Sequence, residues 1–283
     1  MLERTLSGAR PLTLLPAGAT DTQTHMFLPN HEAQPGGPPL PCGTPGPAEY
    51  RRVMNWLGVE RVVITQGNAH QRENANLLAC LQEMGSIARG VVAIGPQTDA
   101  AALERFHEAG VRGARIMDLP GGAVGLDALE DVEKVVKPFG WCLAVQFDGS
   151  RILDHFDRLA ALQCNWILDH HGKFFKGIEP GDKSYDALRR LIDGGNCWFK
   201  LAGCYESSLF GGPNYEDIGR VASAIAEHAP DRVIWGTNWP HNLVRETKDY
   251  PDDARLLDTV LGWIPKRNHQ AILVESPAFL CDF

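Results

Sequence analysis

Short runs of nearly unbroken Val, Ile, Leu and Ala recur along this chain, with amphipathic stretches between them. The runs occupy residues 61–66, 90–95, 113–118, 141–148, 165–169, 197–202 and 232–236, and an eighth ends at His25. Strands that are apolar on both faces belong to a parallel sheet covered by helices, whereas a half-exposed strand would alternate. The intervening stretches 75–85, 99–110, 126–136 and 152–163 repeat their apolar residues at helical spacing. Eight strand–helix units in 283 residues predict an α/β protein, a single (β/α)8 barrel spanning residues 1–283.

The Pro/Gly-rich segment 29–47 interrupts the first unit. It is too long for an ordinary strand-to-helix loop, so a rim or lid over the barrel mouth is expected there. The formal net charge is −8 and the pI about 5.7, which excludes a general field for nucleic acid or an anionic membrane surface. An acidic substrate would need a local basic clamp. Seven scattered cysteines without a Cys-x-x-Cys read as reduced core residues. The opening stretch has a short apolar run broken by Pro16 and leads into the first strand, so a cytoplasmic protein is expected. No apolar run reaches the length of a membrane span.

In a barrel of this type, chemistry collects at the C-terminal ends of the strands. Those ends carry Gln23 and His25, Asn68 and His70, Arg115, Gln146, Asp169 and His170, Lys200 and Tyr205, and Asn238 and His241. Residues 23 and 25 alternate along a strand and so share a face, where two histidines would form half of a metal site. The first of them is Gln23. At the last strand a similar motif has Asn238 where a carboxylate ligand would stand. Zinc takes about three ligands from His, Cys and carboxylates, and two histidines beside an arginine fall short. No metal and no cofactor are expected.

The opening Asp21-x-x-x-His25, the sixth-strand run Asp169–His170–His171–Gly172 and the last-strand run Trp235–Gly236–Thr237–Asn238–Trp239–Pro240–His241 carry a family resemblance. So do Ile64–Gln71, Gly113–Val124, Asp169–Ile178 and Gly236–Thr247. With these motifs the chain resembles the amidohydrolase superfamily, and within it the lactone-processing branch that includes pyrone-dicarboxylate lactonase. The resemblance covers nearly the whole chain. It implies an isomerase that interconverts the 1,5- and 1,4-lactones of an aldaric acid, galactaric acid first, as part of sugar-acid catabolism. The alternatives are a lactonase acting on a sugar-acid or dicarboxylate lactone, and a non-catalytic sugar-acid binding protein. Metal-dependent members carry two first-strand histidines, a mid-barrel ligand and a last-strand aspartate. Here those places hold Gln23 and His25, Arg115 or Gln146, and Asn238.

Moving an acyl group between two hydroxyls of one molecule needs a base, an acid and an oxyanion stabiliser, but no activated water. His170 is the first expected acid–base group and His25 the second, because imidazole serves both directions near neutrality. His25 has a second reading, as a holder of Asp21 or of a backbone carbonyl. Arg115 and Lys200 are expected to bind the substrate carboxylate or the oxyanion, Arg115 being the better fork. Its other reading is an ion pair with Asp118 or Asp148. Gln23, Asn238, Gln146 and Asn68 would meet sugar hydroxyls, with His70, His241 and Tyr205 completing the substrate contacts. Tyr205 and Glu206 fit a rim contact or a plain loop equally well. His171 should face away from the site against a helix, and Lys173 and Lys176 should lie on a solvated loop. The expected partner is a small sugar-acid lactone, and a homo-oligomer associated through outer helices is a further expectation.

Overall fold

The structure, a computed structural model, describes residues 2–283. Eight parallel strands run in sequence order around one sheet: β1 (Thr20–Thr24), β2 (Arg61–Thr65), β3 (Ala88–Val92), β4 (Val111–Met117), β5 (Cys142–Gln146), β6 (Trp166–Leu168), β7 (Cys197–Leu201) and β8 (Val233–Trp235). A parallel bridge between Thr24 and Trp239 nearly closes the ring, and His25 N donates to Trp239 O (2.8 Å). The outer layer contains α1 (Pro47–Leu57), α2 (Ala75–Met84), α3 (Ala100–Glu108), α4 (Leu129–Val136), α5 (Ile152–Ala160), α6 (Lys183–Asp193), the short α7 (Cys204–Ser207), α8 (Glu216–His228) and α9 (Asp253–Gly262). This is the (β/α)8 barrel that the apolar runs predict.

Strand bounds follow the apolar runs closely, and the largest offset, in β3, has a local cause. The side chain of Asn74 accepts from Ala93 N (3.1 Å) and donates to Ala93 O (2.9 Å). Both backbone groups of residue 93 are thereby removed from the sheet ladder, and the strand stops at Val92. Helix starts are similarly explicit. Asp99 accepts from Ala102 N at the head of α3, and Asp252 accepts from Ala254 N and Arg255 N at the head of α9. Each satisfies donors that the first helical turn leaves unpaired.

The barrel lumen is filled from below by hydrocarbon and used from above by polar groups. Val63, Val91, Ala144, Ile167, Trp198 and Ile234 form the lower plug. They pack against Leu280 and Cys281 of the last helix, α10 (Ser276–Cys281), which closes the N-terminal end. A larger cluster between strands and outer helices carries most of the buried apolar area. Function is therefore confined to the opposite end, as in other barrels of this class.

Candidate active site

A register shift in β1 prepares the site. Asp21 stands opposite Val62 but Thr24 opposite Ile64, so β1 holds one extra residue between them. Such a bulge reverses which face the following side chains take. Asp21 is turned to α1, where its carboxylate accepts from Tyr50 Oη (2.6 Å) and from Thr237 N (3.0 Å). Burial raises this carboxyl to about 6 despite those hydrogen bonds. Gln23 and His25 turn to the lumen. β8 closes against them only because residue 236 is glycine: a Cβ there would sit 2.5 Å from Gln23 Cβ.

The floor of the site is a directed hydrogen-bond chain. Lys200 Nζ donates to Gln23 Oε1 (2.8 Å), and an ammonium can only donate. The Gln23 amide is thus oriented with Nε2 toward His25 Nε2, at 3.3 Å. His25 Nδ1 faces Thr65 O (2.9 Å), a pure acceptor, so the ring proton belongs on Nδ1 and the lone pair on Nε2. Burial and the charge of Arg115 lower His25 to about 3, which keeps the ring neutral at physiological pH.

Asp169 follows β6 and is completely buried, with Lys200 Nζ and His170 Nδ1 at 3.2 and 3.0 Å from its Oδ1. Burial alone would raise its carboxyl, but Lys200, His170 and Arg115 together hold it well below the usual carboxylate range. Arg115 on β4 is 5% exposed. It donates through Nη1 to Gln66 O (3.1 Å) and Asn68 Oδ1 (3.0 Å), and through Nη2 to Gln146 Oε1 (2.9 Å). Its Nε has no partner. Neither Asp118 nor Asp148 pairs with it: Asp118 accepts from Leu126 N and Asp148 from Ser150 N.

The wall on the β6–β8 side is built from strained backbone. His170, His171, Lys173, Asn238 and His241 all have left-handed φ between 49° and 65°. That conformation costs each side-chain-bearing residue roughly 1–2 kcal/mol, and such outliers concentrate at functional sites. Gly203 (φ 61°) lets the wall close, since a Cβ there would lie 3.0 Å from Asn238 Nδ2 and 3.1 Å from His170 Cδ2. His170 Nε2 meets Asn238 Oδ1 (3.1 Å). Asn238 Nδ2 donates to Tyr205 Oη and to Glu206 Oε1, both at 2.9 Å. Behind Tyr205 stand His241 Nδ1 (2.7 Å) and then Asp253 Oδ1, 3.0 Å from His241 Nε2.

These groups surround a cavity of about 680 Å³ at the C-terminal ends of the strands. Seven of the expected site residues line it: His25, Asn68, Arg115, Gln146, His170, Tyr205 and Asn238. Pro38, Pro39 and Pro41 of the 29–47 segment border its mouth. Gln23 and Lys200 lie just beneath, in the floor chain. His70 and His241 stand outside the lining. The His70 ring packs on Phe27, with Nε2 at His31 O (3.2 Å), and His241 is wholly buried behind Tyr205. His171 is packed between Phe199 and Trp263, as a residue facing away from the site should be. Lys173 departs from the solvated loop expected for it. It is buried, lines the cavity and donates to Glu206 Oε2 (2.7 Å), because the left-handed turn at 170–173 folds it inward. Glu206 lines the cavity as well, and among sequence signals only its position beside Tyr205 hints at this.

The donor set does not suit a divalent metal. Gln23 and Asn238 offer neutral amides, and Arg115 and Lys200 bring positive charge to the places a cation would need. The His25 and His170 nitrogens facing the lumen are turned toward those amides. Among the described residues, no group of three or more His, Cys, Asp or Glu is disposed to hold a metal ion.

The family model for amidohydrolases matches residues 21–279. The chain is 55% identical to a D-galactarolactone isomerase of Agrobacterium fabrum, over 99% of this chain and 96% of that protein. It is 28% identical to a 2-pyrone-4,6-dicarboxylate hydrolase of Comamonas testosteroni, over 95% and 92% of the two chains. An Agrobacterium tumefaciens crystal structure without ligand superposes with a TM-score of 0.97 at 53% identity, covering 99% of both chains.

Proposed function

We propose, from the premise that this chain belongs to the amidohydrolase family, that it is a lactone isomerase of the D-galactarolactone type. It interconverts the 1,5- and 1,4-lactones of an aldaric acid by acyl transfer within one molecule, with its own side chains as the only acid–base groups. The observation that carries this reading is the charge pattern around the cavity. Lys200 is paired with Asp169 and Lys173 with Glu206, whereas Arg115 lines the cavity and makes no hydrogen bond to a carboxylate. A buried guanidinium in that condition calls for an anion, and an aldaric lactone retains one free carboxylate.

The proposed chemistry follows from tethering. The attacking hydroxyl and the ester carbonyl belong to the same substrate, which is worth an effective molarity on the order of 10⁵ M or more when they are well oriented. What remains is to take a proton from the incoming hydroxyl, give one to the departing ring oxygen and stabilise the tetrahedral oxyanion. His170 and His25 are the imidazole rings on the cavity wall, and Asn68, Gln146, Tyr205 and Asn238 provide polar contacts for the hydroxyls. Lys200 and Gln23 act from beneath by holding Asp169 and His25. His241 supports Tyr205 from behind, and His70 sits in the wall under the rim.

The 29–47 segment is proposed as the rim of a single-domain barrel. All seven cysteines are unpaired, which fits the reducing cytoplasm in which we place the protein. Among the described residues, no helix is long and apolar enough to cross a membrane. A proton NMR time course on D-galactaro-1,5-lactone tests the reading. Growth of the 1,4-lactone without net acid release supports an isomerase, release of one proton per turnover makes it a lactonase, and binding without turnover makes it a binding protein.

A further inference from the structure

Which of the two rings starts as the acid depends on one hydrogen position, and the structure contains a device that sets it. The orientation of an Asn amide has to be deduced from its partners. Asn238 has three: His170 Nε2, Tyr205 Oη and Glu206 Oε1. The first two are ambivalent. A neutral imidazole nitrogen can donate or accept, and so can a phenol. The buried chain behind Tyr205 points the same way from further off, since Asp253 Oδ1 faces His241 Nε2 and leaves His241 Nδ1 to accept from Tyr205 Oη. Glu206 acts on the amide directly.

The Glu206 carboxylate receives Lys173 Nζ at 2.7 Å on one oxygen and Asn238 at 2.9 Å on the other. Burial alone would raise this carboxyl, but Lys173, His170 and the hydrogen bonds lower it. An ionised carboxylate only accepts. A flipped Asn238 would set two oxygens 2.9 Å apart with no hydrogen between them, a like-with-like contact between largely buried side chains. Asn238 must therefore give Nδ2 to Glu206 and Oδ1 to His170, and an amide oxygen can be met only by a nitrogen that bears hydrogen.

We propose that Glu206 is a positioning residue that acts through the Asn238 amide to hold a proton on His170 Nε2, making His170 the resting acid of the lactone interconversion. The inference rests on the isomerase reading above and settles which ring donates first. His170 Nδ1 lies 3.0 Å from Asp169 Oδ1, so acceptors face both nitrogens of that ring. His25 is set the opposite way at Nε2, with its proton on Nδ1 at Thr65 O and its lone pair on Nε2. In the forward direction the substrate hydroxyl gives its proton to His25 Nε2 as its oxygen bonds to the acyl carbon. The former ring C–O bond then breaks, and its oxygen takes the proton from His170 Nε2. The two rings exchange roles in the reverse direction, and a proton returns from His25 to His170 before the next forward turnover. No bond is oxidised or reduced.

The test uses the intact protein with ¹⁵N-labelled histidine, with His170 assigned by its absence from the spectrum of His170→Asn. In the wild type without ligand, His170 Nε2 should show the shift and the one-bond coupling of a protonated nitrogen. Glu206→Gln lets the Asn238 amide turn over. It should move Nε2 toward the unprotonated type and lower kcat about 10- to 100-fold, less than complete loss of a general acid, with KM within about three-fold. The double variant Asn238→Asp with Glu206→Gln restores an obligate acceptor at position 238 and a donor at 206. It should bring back the protonated Nε2 signature and part of kcat. An unprotonated Nε2 in the wild type overturns the proposal without any variant needing to fold. So does a Glu206→Gln enzyme that loses kcat while Nε2 keeps its proton. If the wild type does not isomerise the lactone, the functional reading fails, while the nitrogen spectra still decide whether Glu206 sets the His170 proton.

Discussion

Replacing Arg115 with Met separates substrate recognition from scaffold more sharply than any other single change. The guanidinium is already fixed by Gln66 O, Asn68 Oδ1 and Gln146 Oε1, so little ordering remains to be done when an anion arrives. A substrate carboxylate beside this cavity-lining guanidinium would add charge-assisted hydrogen bonds, each contributing roughly 1.5–3 kcal/mol. Allowing one to two of them, Arg115→Met should cost about 2–4 kcal/mol in kcat/KM, which is roughly 30- to 900-fold. Met fills a similar volume but leaves three acceptors without their donor. It also removes a cation that burial disfavours, so the melting temperature should move by only a few degrees. The assay compares kcat/KM on D-galactaro-1,5-lactone with that on the matching aldono-1,5-lactone, in which a hydroxymethyl group replaces the free carboxylate. Loss on the first by the stated factor and by less than about five-fold on the second places the carboxylate at Arg115. Equal losses on both substrates would refute that assignment and move Arg115 to the oxyanion or to the scaffold.

His170→Asn keeps hydrogen-bonding capacity but ends proton exchange, so kcat should fall roughly 10²–10⁴-fold while KM changes much less; activity within a few-fold of wild type removes His170 from acid–base work. Protein dialysed against a chelator should retain its activity and carry substoichiometric zinc, manganese and iron, because the cavity presents amides and cations where ligands would be needed; one tightly held metal per chain whose removal abolishes activity contradicts this. His171 is buried, both ring nitrogens lack hydrogen-bond partners, and burial lowers it to about 3. The unfolded chain therefore takes up a proton below pH 6.5 that the folded chain refuses, and stability is lost as pH falls through that window. Between pH 7 and pH 5 this ring alone should remove about 2 kcal/mol of unfolding free energy. Asp21 works in the opposite direction over the same range, since its folded value of about 6 lies above that of the unfolded chain. Urea unfolding of His171→Phe should accordingly show a smaller loss of stability from pH 7 to pH 5 than the wild type, and an unchanged pH dependence would mean that the ring is not held neutral.

The barrel was legible because its strands are buried on both faces and therefore read as apolar runs, each ending in a polar residue. The same rule located the cavity-lining residues on β4 and β5 and those just beyond the ends of β1, β2 and β6–β8. It could not tell a strand-end residue that faces the lumen from one that the next loop carries away. His70 and His241 satisfy the rule but are drawn under the rim and behind Tyr205. Lys173 and Glu206 lie 33 positions apart, and nothing in their spacing announces that they meet. Their contact depends on left-handed residues at 170, 171 and 173, a conformation that residues of these types rarely adopt and that leaves no composition signal. The bulge in β1 was equally silent, although it decides that Asp21 faces α1 while Gln23 and His25 face the site.

The two positions that depart from a metal-ligand pattern are the two that orient the remaining histidines. Gln23 takes its orientation from the Lys200 ammonium and presents an N–H to His25, which favours the tautomer with a lone pair on Nε2. Asn238 takes its orientation from the Glu206 carboxylate and presents an oxygen to His170, which favours a proton on Nε2. A primary amide suits both tasks because it carries a donor and an acceptor about 2 Å apart, and a fixed charge behind it decides which of the two faces the ring. A carboxylate at 238 could not donate to Tyr205 and Glu206, and a histidine at 23 could not accept from Lys200 while also donating to His25 without committing its own tautomer. Neutral amides backed by opposite charges therefore leave one imidazole as an acceptor and the other as a donor across a single cavity. That asymmetry is what an intramolecular acyl shift requires and what a hydrolase with a metal-bound hydroxide would not.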